Sequence, residues 1–401
     1  MSTMKQIILF ILIAQFSSAS TLTLNQVLVS AKKHNSLSQS IDQKGLALEA
    51  KNQADTASDP LLLYGSGARA EPIIGKDGYE YSVGVLKKIP LGSIRKQDQE
   101  IARLNNQASL LEEEQKVLNF TNSLKNLYHQ HCIESNHYQS FRQNYQDFAK
   151  LFEKKQMAYQ YQEISKVELM HLELEKNKLY AQLQELKMKQ QSTRQNLLML
   201  SRVNYSGSTQ LSCHDIYPIR EHVRLSGDAF GLTQEAYEKR IASTQIAYQR
   251  YSRQIESVDL LGEYSNELDI DKYTIGVAIP LTFTGKKSEK ERVASMYRRS
   301  ALSYENEQAM LEKKSRVSQL QSSLKSHAVM IKALQKNVRD YQKELLPLMM
   351  RSYDLGESSV LEYLLGRQQF YRFRQELYLT QKTYYNTLFT LYSVSEMKDK
   401  Q

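Results

Sequence analysis

Apolar and polar residues follow two different rhythms along this chain. In Thr274–Phe283 the bulky residues Ile275, Val277, Ile279, Leu281 and Phe283 take every second position, and the positions between are small or hydroxylated, Pro280 apart. Successive strand residues point to opposite faces, so this spacing predicts a strand with one apolar face. Tyr79, Tyr81, Val83 and Val85 repeat the pattern, with Leu61–Gly67 and Val258–Tyr264 as weaker partners. A loop at 71–78 with a Gly-Lys-Asp-Gly turn and another at 265–272, rich in Asp, Glu and Asn, separate the members of each pair. Two hairpins are predicted, at about 61–91 and about 258–284.

Elsewhere the rhythm is helical. Leu169, Leu172, Leu179, Leu183, Leu186, Leu197 and Leu200 keep an alternation of three and four residues, with Lys176, Gln190 and Thr193 as polar entries in the same register. That is the seam of a helix lying along another helix. The last arm carries two stripes, one through Leu361, Leu364, Tyr371, Tyr378, Tyr385, Phe389 and Tyr392, the other through Phe370, Phe373, Leu377, Tyr384, Leu388 and Leu391. It touches neighbours on two sides. No Gly occurs from Ser93 to Ser206 or from Lys286 to Leu355. At 1.5 Å per residue, Ser93–Ala158 and Lys286–Asp354 each reach about 100 Å if helical, and the returning Ser165–Val203 about 60 Å. The shorter segments 24–57 and 232–257 are placed to stack end to end with the returning arms.

The design occurs twice. Val83-Gly84-Val85 followed by Ile89-Pro90-Leu91 resembles Ile275-Gly276-Val277 followed by Ile279-Pro280-Leu281, and Glu163–Leu169 resembles Glu357–Tyr363. Each half reads as helix, hairpin, long helix, tight turn and helix. The boundaries are 1–19 for a leader, 20–203 and 231–395 for the repeats, 204–230 for a connector and 396–401 for a tail.

Composition narrows the chemistry. With 41% hydrophobic residues among 401, the chain can bury a core, and its net charge of +9 is spread over mixed-sign helices, which weighs against a nucleic-acid partner. Lys5, the uncharged stretch Ile7–Ala14 and the small residues Ser17 and Ala19 read as a secretory signal cleaved after Ala19. No cysteine lies near that site to carry a lipid, and no later stretch has the roughly 20 apolar residues of a transmembrane helix. A phosphate-binding Gly-rich loop and a convincing nucleophile motif are both missing, so the chain reads as no enzyme and needs no cofactor.

A secreted chain with two apolar-faced hairpins cannot close a barrel alone, and lipid does not tolerate open strand edges. Three copies giving four strands each would close a 12-stranded barrel with the small or polar face inward. Here the chain resembles the TolC-type outer-membrane efflux proteins, from Leu22-Thr23-Leu24 to about Val394. Thr23–Leu28 with Ala31 and Asn35 resembles that family's opening helix. The Gly-Val strands followed by Pro-Leu and then by Gly92, Arg95 and Lys96, or by Gly285, Lys286 and Lys287, resemble its strand-to-helix crossings. Most specific is Ser352–Gln368, which resembles its periplasmic tip. The resemblance implies a mainly α fold with a membrane β-barrel, in which long antiparallel coiled-coil helices build a periplasmic α-barrel. It also implies a homotrimer in outer-membrane lipid, docked to a periplasmic membrane-fusion adaptor and an inner-membrane RND-type pump. Ile89-Pro90-Leu91-Gly92 and Ile279-Pro280-Leu281, with the short length, are most like the heavy-metal (Czc/Cus-type) branch, so that metal cations are the expected cargo. A drug, bile-salt or type I secretion channel stays open, and a periplasmic coiled-coil structural protein is the alternative from another class.

The same resemblance nominates residues. Glu362 sits where the family carries an acidic residue near the aperture, and three copies would form a carboxylate ring that favours cations. The family's second acidic position is Leu365 here, and Arg367 is placed to pair with Glu362 of its own or a neighbouring helix. The tips, with Tyr159, Gln162 and Ser165 in one and Asp354, Gly356 and Ser359 in the other, are the expected adaptor contacts. Gly356 permits a tight turn, whereas Gln162 at the matching position implies a looser one. The expected lipid-facing residues are Tyr81, Val83, Val85, Ile275, Val277, Ile279, Leu281 and Phe283. His129, His131, Cys132, Cys213 and His214 are weak soft-metal candidates, with a Cys132–Cys213 bridge or free thiols as the alternatives. Pro347 inside a helical arm marks a kink.

Overall fold

The Gly-free arms fold as helices, and Pro347 is the one residue in them that interrupts the backbone ladder. The computed structural model describes residues 21–34, 36–71, 77–203, 210–225, 229–253, 255–267, 270–280 and 286–397, and the leader at 1–19 lies outside them. A two-residue strand, β1 (Thr21–Leu22), leads into α1 (Leu24–His34) and α2 (Ser36–Asp55). The hairpin β2 (Leu62–Ala70) and β3 (Gly78–Pro90) precedes α3 (Ile94–Gln160, 67 residues) and the returning α4 (Lys166–Ser201). The connector contributes β4 (Gln210–Leu211), and the second half repeats the order with α5 (Gly231–Arg250), β5 (Ser257–Glu267), β6 (Ile270–Ala278), α6 (Lys287–Asp340), α7 (Leu346–Asp354) and α8 (Val360–Val394). A five-residue π-helical turn, Tyr341–Leu345, joins α6 to α7. Pro347 accounts for it: lacking an N–H, proline cannot complete the ordinary ladder, and the preceding turn widens so that Leu346 N–H donates to Tyr341 O.

Contacts divide the described chain into two units, and both sequence repeats contribute to each. The first unit draws on 1–35, 123–222 and 323–389. Its core joins Phe141, Phe148, Leu151 and Phe152 of α3 to Leu172, Leu179 and Leu183 of α4 and to Tyr353, Tyr363 and Leu364. The leucine seam of α4 is therefore real, but it drifts: Leu198 is 1% exposed where the heptad register expects Leu200, which is 38% exposed. A straight helix gains about 20° per heptad on a 3.5-residue repeat, enough over four heptads to pass the seam to a neighbour.

The connector is stitched to this unit. β4 pairs in parallel with β1, and Asp215 accepts from Leu24 N–H at the start of α1. Cys132, fully buried on α3, is bridged to Cys213. Tyr128 donates to Ser212 O, Tyr385 to Tyr217 O at 2.5 Å and Tyr384 to Arg220 O at 3.0 Å. Burial pushes the Tyr128 phenol up to about 12, which keeps it a donor.

The second unit draws on 36–122, 223–322 and 390–401. All four long strands form one antiparallel sheet in the order β2-β3-β5-β6. The loop expected at 265–272 is instead strand, with only two residues between β5 and β6. Its polar residues pair across the hairpin: Asp271 accepts from Tyr264 at 2.8 Å and from Asn266 at 2.9 Å, and Lys272 meets Glu267 at 3.2 Å. Polar side chains link the helices of this unit, as in Asn106 to Leu48 O, Ser243 to Asn105 and Arg250 to Asp98, beside buried apolar residues such as Leu104, Ala108, Ala236 and Leu320. Glu396, buried, accepts from Thr233 N–H at the start of α5 and pairs with Lys313.

Two stability predictions follow from the first unit. The disulfide closes 81 residues, so the Cys132→Ser/Cys213→Ser variant should lose about 4 kcal/mol in the chain-entropy picture, read as a lower urea midpoint that reductant reproduces in the wild type. His137 stacks on Tyr378 at 4.0 Å, and burial, then Arg374, Lys189 and Lys382, depress its pKa to about 4. Its folded pKa lies below the unfolded value near 6.5, so the unfolded state takes up the proton first. Its contribution is complete above about pH 6.5 and falls by roughly 2–3 kcal/mol toward pH 4. Urea melts at pH 7 and 4.5 should show His137→Gln losing less over that interval than the wild type.

Candidate functional site

The repeat places two helical turns side by side in the first unit, between α3 and α4 and between α7 and α8. Each is made the same way. In one, Gln162 N–H donates to Tyr159 O at 3.0 Å and Glu163 N–H to Ala158 O at 2.9 Å; in the other, Gly356 N–H donates to Tyr353 O at 3.1 Å and Glu357 N–H to Ser352 O at 2.9 Å. Gln162 has φ +63° and Gly356 φ +73°. The first turn is therefore not looser, as its sequence implied: Gln162 adopts the left-handed backbone at a cost of about 1 kcal/mol. Tyr159, Gln162, Ser165, Asp354, Gly356 and Ser359 are all exposed, so every expected contact residue presents surface.

Ser165 and Ser359 cap the helices that follow, and there the two turns part. Ser359 forms a reciprocal capping box with Glu362: the carboxylate accepts Ser359 N–H at 2.9 Å, and Glu362 N–H donates to Ser359 Oγ at 3.2 Å. Glu168 holds the matching position in the first repeat, and its N–H donates to Ser165 Oγ at 3.1 Å. Its carboxylate, however, accepts from the Tyr353 phenol of the other turn at 2.5 Å. Burial and then the bond to Glu168 push the Tyr353 pKa up, so the phenol stays protonated and donates. Tyr353 also stacks on Tyr363 at 5.1 Å and carries Lys155 over its face at 4.1 Å, with Lys155 3.8 Å from Asp354. The sequence reading missed Tyr353, Tyr363, Glu168 and Lys155, although the repeat offset that pairs Glu168 with Glu362 was legible.

Arg367 does not pair with Glu362 in the protomer. It is 7% exposed, lies over the rings of Phe148, Tyr363 and Tyr371 at 5.0 to 5.7 Å, and donates to the phenols of Tyr363 at 2.9 Å and Tyr371 at 2.5 Å. Glu362 and Leu365 are exposed on the opposite face of α8, together with Leu361. A matching exposed stripe, Val167, Met170 and Leu174, runs along α4.

The sheet of the second unit has two unlike faces. Register puts Leu63, Tyr79, Tyr81, Val83, Val85, Leu260, Tyr264, Tyr273, Ile275 and Val277 on one face. Tyr81, Val83, Val85, Ile275 and Val277 are 39% to 93% exposed there. Ile279 lies just beyond β6 and is half exposed, while Leu281 and Phe283 fall outside the described residues. The other face is polar, with Tyr64 bonded to Glu263 at 2.6 Å and Ser66 to Ser82 at 2.9 Å. A Cβ at Gly84 would strike the Tyr64 ring, so glycine is needed for that tyrosine to lie flat across β3. Among the described residues, β2 and β6 each have one edge with no strand beside it.

No family model matches the chain, and no curated protein does. Solved structures do. The Campylobacter jejuni CmeC outer-membrane channel superposes with a TM-score of 0.74 at 14% identity, over 92% of this chain and 85% of that one. CusC, solved in the course of transmembrane channel formation, gives 0.77 at 14% over 92% and 91%. The Vibrio cholerae outer-membrane protein VceC gives 0.71 at 14% over 93% and 96%. The fold is that of the TolC-type outer-membrane channels.

In this channel fold three of the five weak metal candidates have other partners. Cys132 and Cys213 are spent on each other. His129 uses both ring nitrogens, Nδ1 with Lys125 O at 2.7 Å and Nε2 accepting Tyr217 N–H at 3.0 Å. His131 is buried with its pKa lowered, chiefly by burial, and His214 is exposed. Among the described residues no three His, Cys, Asp or Glu side chains gather to hold a metal ion. Among them, too, no helix is long and apolar enough to cross a membrane.

The cross-turn bond gives a testable expectation. Tyr353→Phe keeps the ring stack and removes the donor to Glu168, and should cost about 1–2 kcal/mol in urea denaturation. In a double-mutant cycle, Glu168→Gln should add little to it.

Proposed function

We propose that this chain is the outer-membrane channel of a tripartite efflux system, a passive homotrimeric conduit in the Gram-negative outer membrane that reaches into the periplasm. The observation that carries this reading is the four-stranded sheet, apolar on one face, polar on the other and open at both edges. In lipid such edges must be paired, and three copies joined β2 to β6 pair all of them. Strands of 9 to 13 residues suit a tilted crossing of the hydrocarbon layer. The fold similarity supports the same reading.

The partners are a periplasmic membrane-fusion adaptor, meeting the exposed turns at Tyr159, Gln162, Ser165, Asp354, Gly356 and Ser359, and an inner-membrane RND-type pump that supplies the energy. Glu362 and Leu365 line the periplasmic aperture, and Arg367 stiffens the helix that carries them from its aromatic cage. Metal cations are the proposed cargo, on the sequence motifs that precede the strand-to-helix crossings. CusC and CmeC superpose about equally well, so overall geometry does not choose the cargo.

Single-channel recording of detergent-purified mature protein in planar bilayers tests this. Well-defined pores from heat-modifiable trimers are expected, with a divalent cation added on the tip side blocking them. Glu362→Gln keeps the capping-box acceptor but removes the charge, and should weaken the block at least about tenfold if three carboxylates converge. Unchanged block would remove the ring and keep the channel, and silent, well-folded trimers would overturn the channel reading.

A further inference from the structure

The first unit holds a cavity of about 150 Å³ walled by α3, α4 and α8. None of the turn residues lines it. A cavity of this size accepts a single benzene ring. Phe141, His137, Tyr371 and Tyr378 supply four rings to its wall, which is more than the stacking of His137 on Tyr378 consumes.

Its polar groups are left incomplete in a patterned way. Asn144 Nδ2 is buried with no hydrogen-bond partner. Arg374 reaches only the Tyr378 phenol, at 3.4 Å, and the Phe370 ring, at 5.4 Å, and makes no ion pair among the described residues. The other two cations of the cavity are taken, Lys382 by Glu134 at 2.5 Å and Lys189 by Glu185 at 3.4 Å. An amide donor without an acceptor therefore stands at Asn144, and a guanidinium without a carboxylate at Arg374. One acceptor without a donor stands opposite them in kind, the buried Glu134 Oε2. A buried unpaired amide beside a guanidinium with no counter-charge calls for an anion, and a planar carboxylate matches the guanidinium fork. Burial first, and then the charges of Arg374, Lys189 and Lys382, keep His137 neutral, and those three cations agree with that sign.

We infer that this cavity is a binding site for a small single-ring aromatic carboxylate bearing a hydroxyl group. The ring lies among Phe141, His137, Tyr371 and Tyr378, the carboxylate faces Arg374 and Asn144, and the hydroxyl donates to Glu134. Nothing in this assignment uses the channel reading, and it is tested by binding rather than by conductance.

Isothermal titration calorimetry of the detergent-purified full-length protein with 4-hydroxybenzoate at pH 7 provides the test. One site per chain with a dissociation constant below about 1 mM is expected, a reasonable ceiling for a ligand of this size. 4-Hydroxybenzamide, the uncharged analogue, should bind at least about tenfold more weakly, and Arg374→Gln should cost the acid a similar factor. Benzoate, without the hydroxyl, should bind several-fold more weakly than 4-hydroxybenzoate. If Arg374→Gln fails to fold by circular dichroism, Asn144→Leu takes its place with the same expected loss. No binding by the wild type, equal affinity for the amide, or a folded variant that binds the acid as well as the wild type would each overturn the assignment.

Discussion

A strand edge buried in hydrocarbon leaves a row of N–H and C=O groups without water to satisfy them, and each costs several kcal/mol. In the proposed channel this constraint governs the rest of the molecule. The order β2-β3-β5-β6 brings the two hairpins of a duplicated chain into one sheet through the β3–β5 ladder, which leaves two edges instead of four. One-sided residue alternation then fixes which face meets lipid. A one-residue slip would turn Ile275 and Val277 inward and Thr274 outward, so register and sidedness are chosen together.

The helical part obeys a different rule. Its two turns descend from one design and share hydrogen bonds atom for atom, but the second carboxylate of each pair has been put to different use. Glu362 closes its own capping box, whereas Glu168 ties the first turn to Tyr353 of the second. Lys155 and the Tyr353–Tyr363 stack surround that tie. The two helix ends are built alike, and the different use of a single carboxylate joins them.

The long arms were legible because no Gly occurs in 93–206 or 286–354, and the sheet faces because their period is two. Other features needed the third dimension. The segment 265–272 looks like a loop by composition, yet its Asp and Asn side chains find partners across the hairpin and carry the strand onward. Glu362 is nominated by the resemblance as an aperture carboxylate, although Ser359-Val360-Leu361-Glu362 is also the pattern of a capping box and could have signalled that local role. Arg367 offers no such clue. Its cage joins Phe148, more than 200 residues away, to Tyr363 and Tyr371, a convergence that no local period reports. The cysteine bridge was one of several readings open to two cysteines 81 residues apart, and the packing of the connector on α3 selects it.

The unlike edges of the sheet bear on genetics as well as on architecture. In the proposed trimer each copy's β6 must meet the next copy's β2, so the ring has three identical head-to-tail seams and closes only if all three form. A subunit with a spoiled edge is not merely inactive, because it also removes a partner from each of its sound neighbours. Where a spoiled and a sound allele are expressed equally and mix at random, roughly one ring in eight contains only sound copies. Edge lesions should therefore behave as dominant-negative alleles, whereas a lesion that keeps a chain from assembling at all should be recessive.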